Sequence, residues 1–405
     1  MKNPAHHLAA FSAVGPGLVI AATGLGAGDL VAATVSGAEL GVTIAWAVVV
    51  GAVIKFVLNE GLARWQLASG STLLSGWVEH LPRWVRYYFF AYLCVWSLLV
   101  GAALMAACGL AGHALMPSVS ISGWAALHSF AALLMVWRGN YRRLETVMKV
   151  LIAAMFVVVM AALWKIDTSE LGLIRALLSP QLPDGHLPLL LAVVGGVGGS
   201  VTLLCYGYWI REKGWQGPEQ LARARIDLAV GYLVTGMFGI GIMVLAASAA
   251  PPSVSGTKII VALADELAVL LGEEFRLIFL LGFWAAVFSS MLGVWQGIPY
   301  LFADLLAQHQ GEPDREISQQ AQGYTPALLF LAGPPLLLLL LGKPVWLVLL
   351  YSVAGAFFMP FLAATLLYLN NRCIPAPMAN SPWSNAAMIL ALLLFSGIGV
   401  QQLFR

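Results

Sequence analysis

The chain has 405 residues, 60% of them hydrophobic and only 10% charged, with a mean hydropathy of +0.86. Soluble domains carry about 25% charged residues, so this composition excludes a soluble protein and indicates an integral membrane protein. The net charge of +2, with most Lys and Arg residues in short loops, excludes a nucleic-acid partner.

A bilayer core about 30 Å thick needs about 20 apolar residues per helix. The first such run covers roughly residues 12–38. Its basic start at Lys2 superficially resembles a signal peptide, but Pro16 and Asp29 interrupt it and further spans follow, so it reads as a retained span. His6 and His7 precede it and read as solvated. The run is broken: Gly15-Pro16-Gly17 opens it, and Gly24, Gly26 and Gly28 lead into Asp29. Spans at 42–64, 86–112, 121–138 and 144–164 follow. The next, 186–210, is again broken, by Gly195-Gly196-Val197-Gly198-Gly199-Ser200. Five more are expected at 222–249, 274–300, 324–342, 345–369 and 384–404. An amphipathic stretch from Lys258 to Gly272, with Asp265 and Glu266, is expected at the surface, and 308–322 reads as a polar connection.

Eleven spans divide as five, five and one within a single transmembrane domain over 1–405. The first five-helix unit covers 12–165, the second 186–370, and the extra helix 384–404. Each unit then opens on a broken span. With the N-terminus inside, fourteen Lys and Arg residues fall on the cytoplasmic side and six on the outer side, with Lys55 left inside a span. That bias predicts a cytoplasmic N-terminus in an inner membrane.

Broken backbone at membrane depth survives only where protein covers it or where it lines a cavity. Paired breaks in corresponding halves therefore point to a transporter binding site. Asp29 follows the first break, and an ionisable residue at that depth is a functional candidate by default. The carbonyls of Thr23 to Gly28, those of Gly26 and Ala27 among them, offer neutral oxygens. Carboxylate with carbonyl oxygens suits a hard cation. Asp29 could also cap the second half-helix, and the two roles are compatible. At the second break, Gly199, Ser200 and Thr202 could complete a cation shell or hold an anionic group on half-helix amides. Close packing of small residues is the bland reading there.

Ser289 and Ser290 lie mid-span, where their hydroxyls could reach the first break or bond their own helix. Lys55 could snorkel, pair with Glu60, or serve as a built-in cation near the site. Glu60 and Arg64 stand in favourable i, i+4 order and read as a structural pair. His128 is a possible proton carrier, with a satisfied structural histidine the commoner case. Cys94, Cys108, Cys205 and Cys373 fit neither a disulfide framework nor a zinc site. No metalloprotease, Walker or serine-hydrolase signature occurs.

The chain resembles the Nramp family of divalent metal transporters. The resemblance is carried by Gly15-Pro16-Gly17, by Ala63-Arg64 and Ser69-Gly70 ending the second span, by Arg143-Leu144-Glu145 opening the fifth, by the two glycine breaks and by Ser289-Ser290. It implies an all-helical, LeuT-type 5+5 inverted repeat with helices 1 and 6 broken. Standard members carry Asp-Pro-Gly-Asn at the first break, where this chain has Gly26-Ala27-Gly28-Asp29. They also carry Met-Pro-His in the sixth helix, where this chain reads Ser200-Val201-Thr202 after two glycines. The soft thioether that favours transition metals is therefore missing.

The expected function is secondary transport of a divalent cation, a hard ion such as Mg2+ or Mn2+, by alternating access. The resemblance implies proton coupling as an option, and with no His in the sixth helix Asp29 and Glu60 are the candidates for it. Asp29, Gly26, Ser200 and Thr202 are the expected metal ligands. An ion-coupled symporter of a small organic solute on the same fold is the alternative, and a non-transporting membrane enzyme or interaction protein is the third. The expected partners are the lipid bilayer and a small ion or solute, with no resident cofactor and the oligomeric state left open.

Overall fold

The computed structural model describes residues 14–252, 257–312, 316–339 and 344–403. Lys2, His6 and His7, and residues 313–315 of the polar connection, lie outside the described residues. No strand occurs among the described residues.

The first expected span is two helices, α1 (Pro16–Gly24) and α2 (Ala27–Leu40), bent by 61° at the break. The next four spans are α3 (Ala45–Ser69), α5 (Trp84–Leu115), α6 (Ile121–Arg138) and α7 (Tyr141–Lys165), with a short α4 (Leu73–His80) after α3. A one-turn helix α8 (Leu173–Leu178) leads to the second broken span. That span comprises α9 (Leu187–Gly196), a 3-10 turn at Val201–Leu204 and α10 (Cys205–Glu212). Then come α11 (Leu221–Ala249), α12 (Lys258–Leu271), α13 (Glu273–Gln310), the pair α14 (Tyr324–Ala332) and α15 (Pro335–Leu339), α16 (Pro344–Arg372) and α17 (Pro382–Leu403). Each of the eleven expected spans thus finds its helix or broken helix pair. Among the described residues, six helical stretches, the second broken span Leu187–Glu212 counted as one of them, are long and apolar enough to cross a membrane, and the bent α1–α2 pair makes a seventh.

Exposed Val, Leu and Ile residues cover the outside of the bundle, and Trp84, Trp137, Trp164 and Trp383 stand exposed at helix ends. Tryptophans at such positions suit the bilayer interfaces. The amphipathic stretch is less superficial than expected. Helix α12 buries Ile260, Leu263 and Leu267 against its neighbours, chiefly α13, and leaves outside Val269, Leu270 and a charged edge where Asp265 accepts from Arg276 at 2.7 Å.

The broken first span sits at the centre, packed on α7, α11 and α13. Its N-terminal amides would be orphans, since Gly15 has no side chain with which to cap them. Asp227 of α11 supplies the cap across the bundle: Gly15 N–H donates to one carboxylate oxygen at 2.7 Å and Gly17 N–H to the other at 2.6 Å. The Tyr206 hydroxyl donates to that second oxygen at 2.9 Å. A carboxylate at a helix N-terminus also has the favourable sign for the helix dipole. Asp227→Ala strands two buried amides, so it is expected to destabilise the detergent-solubilised protein by about 3 kcal/mol or more. Thermal unfolding measures this, and a loss under about 1 kcal/mol would mean that water reaches those amides.

Candidate functional site

The two glycine breaks meet. A Cβ on Gly24 would stand 2.7 Å from the Cα and the carbonyl carbon of Gly198, so α1 ends directly against the turn of the second break. Gly198 and Gly199 both hold φ near +80° (78° and 79°), a region that side-chain-bearing residues avoid. That pair of left-handed residues is what unwinds the chain between α9 and the 3-10 turn.

Asp29 lies in the first turn of α2, yet it does not cap its own helix. The Gly198 N–H donates to its carboxylate instead, so Asp29 bridges the breaks. Its other oxygen, Oδ2, is buried and has no hydrogen-bond partner. Asp29 also lines a narrow cavity between α2, α3, α9 and α11, whose walls include Leu25, Val48, Val193, Val197 and Phe238. Thr235, its other polar residue, donates to the Gly231 carbonyl of its own helix at 3.0 Å.

Lys55 approaches the same turn from α3. It is 0% exposed, and its ammonium donates to the Gly195 carbonyl at 3.2 Å and to the Gly199 carbonyl. Snorkelling is thereby excluded. Pairing with Glu60 is excluded too: Glu60 accepts from Arg64 at 2.6 Å and from Arg225 of α11 at 2.8 Å. Asp29 and Lys55 act on each other electrostatically without a direct ion pair, each holding one backbone group of the Gly198–Gly199 turn.

The remaining expected site residues divide. Ser290 donates to the Thr23 carbonyl at 2.6 Å, and Ser289 to the carbonyls of Ala22 at 3.2 Å and Ala286 at 2.9 Å. Both hydroxyls thus reach the first break, where they satisfy its backbone. The Gly24 carbonyl accepts from Gly26 N–H at 2.8 Å and the Gly26 carbonyl from Leu30 N–H at 3.3 Å. Only a short piece of backbone is therefore unwound, and Ala27 already belongs to α2. Ser200 is buried with an unpartnered hydroxyl, but it packs beside Gly355 of α16, where a Cβ would lie 2.9 Å from it. Thr202 is buried in the 3-10 turn beside Gly199. Among the described residues, no three His, Cys, Asp or Glu side chains converge on a metal-sized site.

His128 is a satisfied histidine. Trp284 donates to its Nε2 at 2.7 Å, which leaves Nδ1 to donate to the Trp124 carbonyl at 2.7 Å. Asn59, one turn along α3 from Lys55, donates to the Tyr232 hydroxyl at 3.1 Å and keeps an unpartnered Oδ1. Neither Asn59 nor Asp227 was among the expected site residues. Asp227 is a carboxylate inside an apolar run, and that alone marks it as a residue to examine.

Residues 17–405 match the family described as "Natural resistance-associated macrophage protein-like", Nramp. The chain belongs to the Nramp family. The curated divalent metal cation transporter MntH of Yersinia pestis is 26% identical over 251 residues, 59% of each chain. The matched region thus spans less than two thirds of that relative's length. Among solved structures, the Eremococcus coleocola manganese transporter superposes with a TM-score of 0.78 at 12% identity, covering 98% of this chain and 87% of that one. A sodium-coupled sialic acid symporter superposes with a TM-score of 0.63 at 14% identity, covering 95% and 88%. The fold is the LeuT type shared by Nramp proteins and organic-solute symporters, and the chain is a multi-pass membrane protein.

Outside the break, this Nramp chain is tied together where α1 begins and α10 ends. Glu145 pairs with Lys149 at 2.6 Å and Lys213 at 3.2 Å. Tyr208 donates to Asp304 at 2.6 Å, and Tyr300 to Glu212 at 2.6 Å. With the Arg64–Glu60–Arg225 group, these contacts link α3, α7, α10, α11 and α13 on one side of the bundle.

Proposed function

We propose that this chain is a secondary transporter that carries a divalent cation through the membrane by alternating access, with Asp29 as the charged ligand. The single observation that carries this reading is the Asp29 carboxylate, with one buried unpartnered oxygen at the crossing of two broken helices. The matched relatives named as metal cation and manganese transporters supply the substrate class. Without a thioether at the second break, a hard ion such as Mg2+ or Mn2+ fits better than a softer transition metal. The carbonyls of Gly26 and Ala27 are the proposed neutral ligands, that of Gly26 now accepting from Leu30 N–H at 3.3 Å, and water fills the rest. Ser200 and Thr202 fit that shell less well, since they pack with α16 and the 3-10 turn.

The positive residues favour a cytoplasmic N-terminus in the inner membrane. In that orientation the Glu60, Glu145 and Glu212 networks close the cytoplasmic side, and the Asp29 cavity lies toward the outside. Asp29 is then the better placed proton carrier, because Glu60 is held by two arginines.

One observation favours a second reading. Lys55 neutralises the site, and the cavity beside Asp29 is mostly apolar, which suits an organic solute with any ion as driver. Proteoliposomes distinguish the two. Uptake of Mn2+ or Mg2+ driven by an imposed inside-negative potential is the expected result. Ion-driven uptake of an amino acid or similar solute, with no divalent flux, would replace it with the second reading.

A further inference from the structure

We propose that the Lys55 ammonium is a resident, tethered cation of the second break, occupying the carbonyl oxygens of Gly195 and Gly199 in place of a bound ion. The inference rests on the transport reading only for the position of the cargo beside Asp29.

Three observations carry it. An unwound helix turns backbone carbonyls toward one point, and such carbonyls are what a hard monovalent cation needs once it sheds water. Here those oxygens already have a cation: Lys55 Nζ reaches both, 3.2 Å from Gly195 O and in contact with Gly199 O. Second, the ammonium is fully enclosed. The Phe395 ring of α17 stands 5.9 Å from it, and the side chain is 0% exposed. A buried charge persists only when it is paired and hydrogen-bonded. Third, the compensating charge is at hand, because Asp29 acts on Lys55 across the Gly198–Gly199 turn. The geometry is that of an ion site built from two carbonyls with a carboxylate beyond the turn, and its ion is attached to α3 by four methylenes.

Two consequences follow. The second break is not a half-site for the cargo, so the cargo meets only the Asp29 side of the crossing. No free sodium or potassium ion is needed to hold the second break together. Removing the ammonium while keeping the stem then opens a cation site that the native chain lacks. A purely structural lysine, bonding the last carbonyls of α9, predicts only loss of stability.

The test is thermal unfolding of the purified full-length protein in sodium against choline chloride. The native chain is expected to unfold at the same temperature in both. Lys55→Met is expected to unfold earlier in choline and to recover, saturably, as sodium is added, binding it at least ten-fold more tightly than the native chain. The double variant Lys55→Met/Asp29→Asn is expected to lose that response. A Lys55→Met protein indifferent to sodium overturns the proposal, and so does a saturable sodium response of the native chain that Asp29→Asn abolishes. Should Lys55→Met aggregate, an unresponsive native chain together with a folded, unresponsive Lys55→Arg supports the proposal, and an unfolded Lys55→Arg counts against it. Mn2+ uptake by the native chain decides the transport reading separately. Its absence beside a sodium-responsive Lys55→Met removes the cargo and leaves the tethered cation, and the reverse pair of results does the opposite.

Discussion

Asp29→Asn in proteoliposomes is expected to lose Mn2+ or Mg2+ uptake by about two to three orders of magnitude while the protein stays folded. The magnitude follows from what is removed. Taking the charge from one member of a buried ionic arrangement costs about 3–5 kcal/mol, and each 1.4 kcal/mol is about ten-fold. Among the described residues no group of three or more His, Cys, Asp or Glu side chains forms around Asp29, so no carboxylate-rich shell is there to take over. The fold should survive, because Asn retains an acceptor for the Gly198 amide that Asp29 now binds. The Lys55 ammonium would lose its countercharge but keep both carbonyls. Size-exclusion profile and unfolding temperature check the fold, and radiometal uptake checks the function. Asp29→Glu keeps the charge but adds a methylene in a narrow cavity, and it should retain part of the flux. Undiminished flux in Asp29→Asn would move the cargo site away from the crossing.

The architecture was legible because its signals are local. About twenty apolar residues make a span, and glycines at 24–28 and 195–199 mark where two spans cannot continue. The structure bends or unwinds the chain at both places. Asp29 was legible for the same reason, as a charge beside a break. The contacts around it were not, since they join residues far apart in sequence. Lys55 and Gly199 are separated by 144 positions, Ser290 and Thr23 by 267. One alternative for Lys55 could have been removed from helix geometry alone: five residues along a helix turn a side chain by about 140°, away from Glu60. Choosing between snorkelling and a built-in cation needed the fold of α9 beside α3. The serines illustrate the opposite limit. Their reach to the first break was readable from their place mid-span, but not that their hydroxyls would be taken by the backbone there. Ser200 was read only as a possible member of the ligand shell because the residue packed against it, Gly355 of α16, stands more than 150 positions later in the sequence.

Gly24→Ala is expected to damage transport more than Gly198→Ala, although of the two only Gly198 has a left-handed backbone. The difference lies in what each new Cβ meets. At Gly24 it meets the Cα and carbonyl carbon of Gly198 at 2.7 Å, so it fits only if the two broken helices separate. At Gly198 it meets Cε1 of Tyr232 at 2.7 Å, a ring that can turn or be trimmed. The Gly198 variant carries about 1–2 kcal/mol for the left-handed conformation and about 1–3 kcal/mol for overpacking. Trimming with Tyr232→Leu should return the second part and not the first. It should return nothing to Gly24→Ala. Because Tyr232→Leu also removes the 3.1 Å bond from Asn59, each rescue is read as a double-mutant cycle against Tyr232→Leu alone. In transport, a shift of about 1 Å at a positioned group can cost about a hundred-fold in rate, so Gly24→Ala should retain about one per cent of native uptake or less. Equal rescue of both variants by Tyr232→Leu would mean that the breaks are separated by a yielding layer of side chains. Rescue confined to Gly198→Ala would locate the rigid crossing of the two broken helices at the backbone of Gly24 and Gly198.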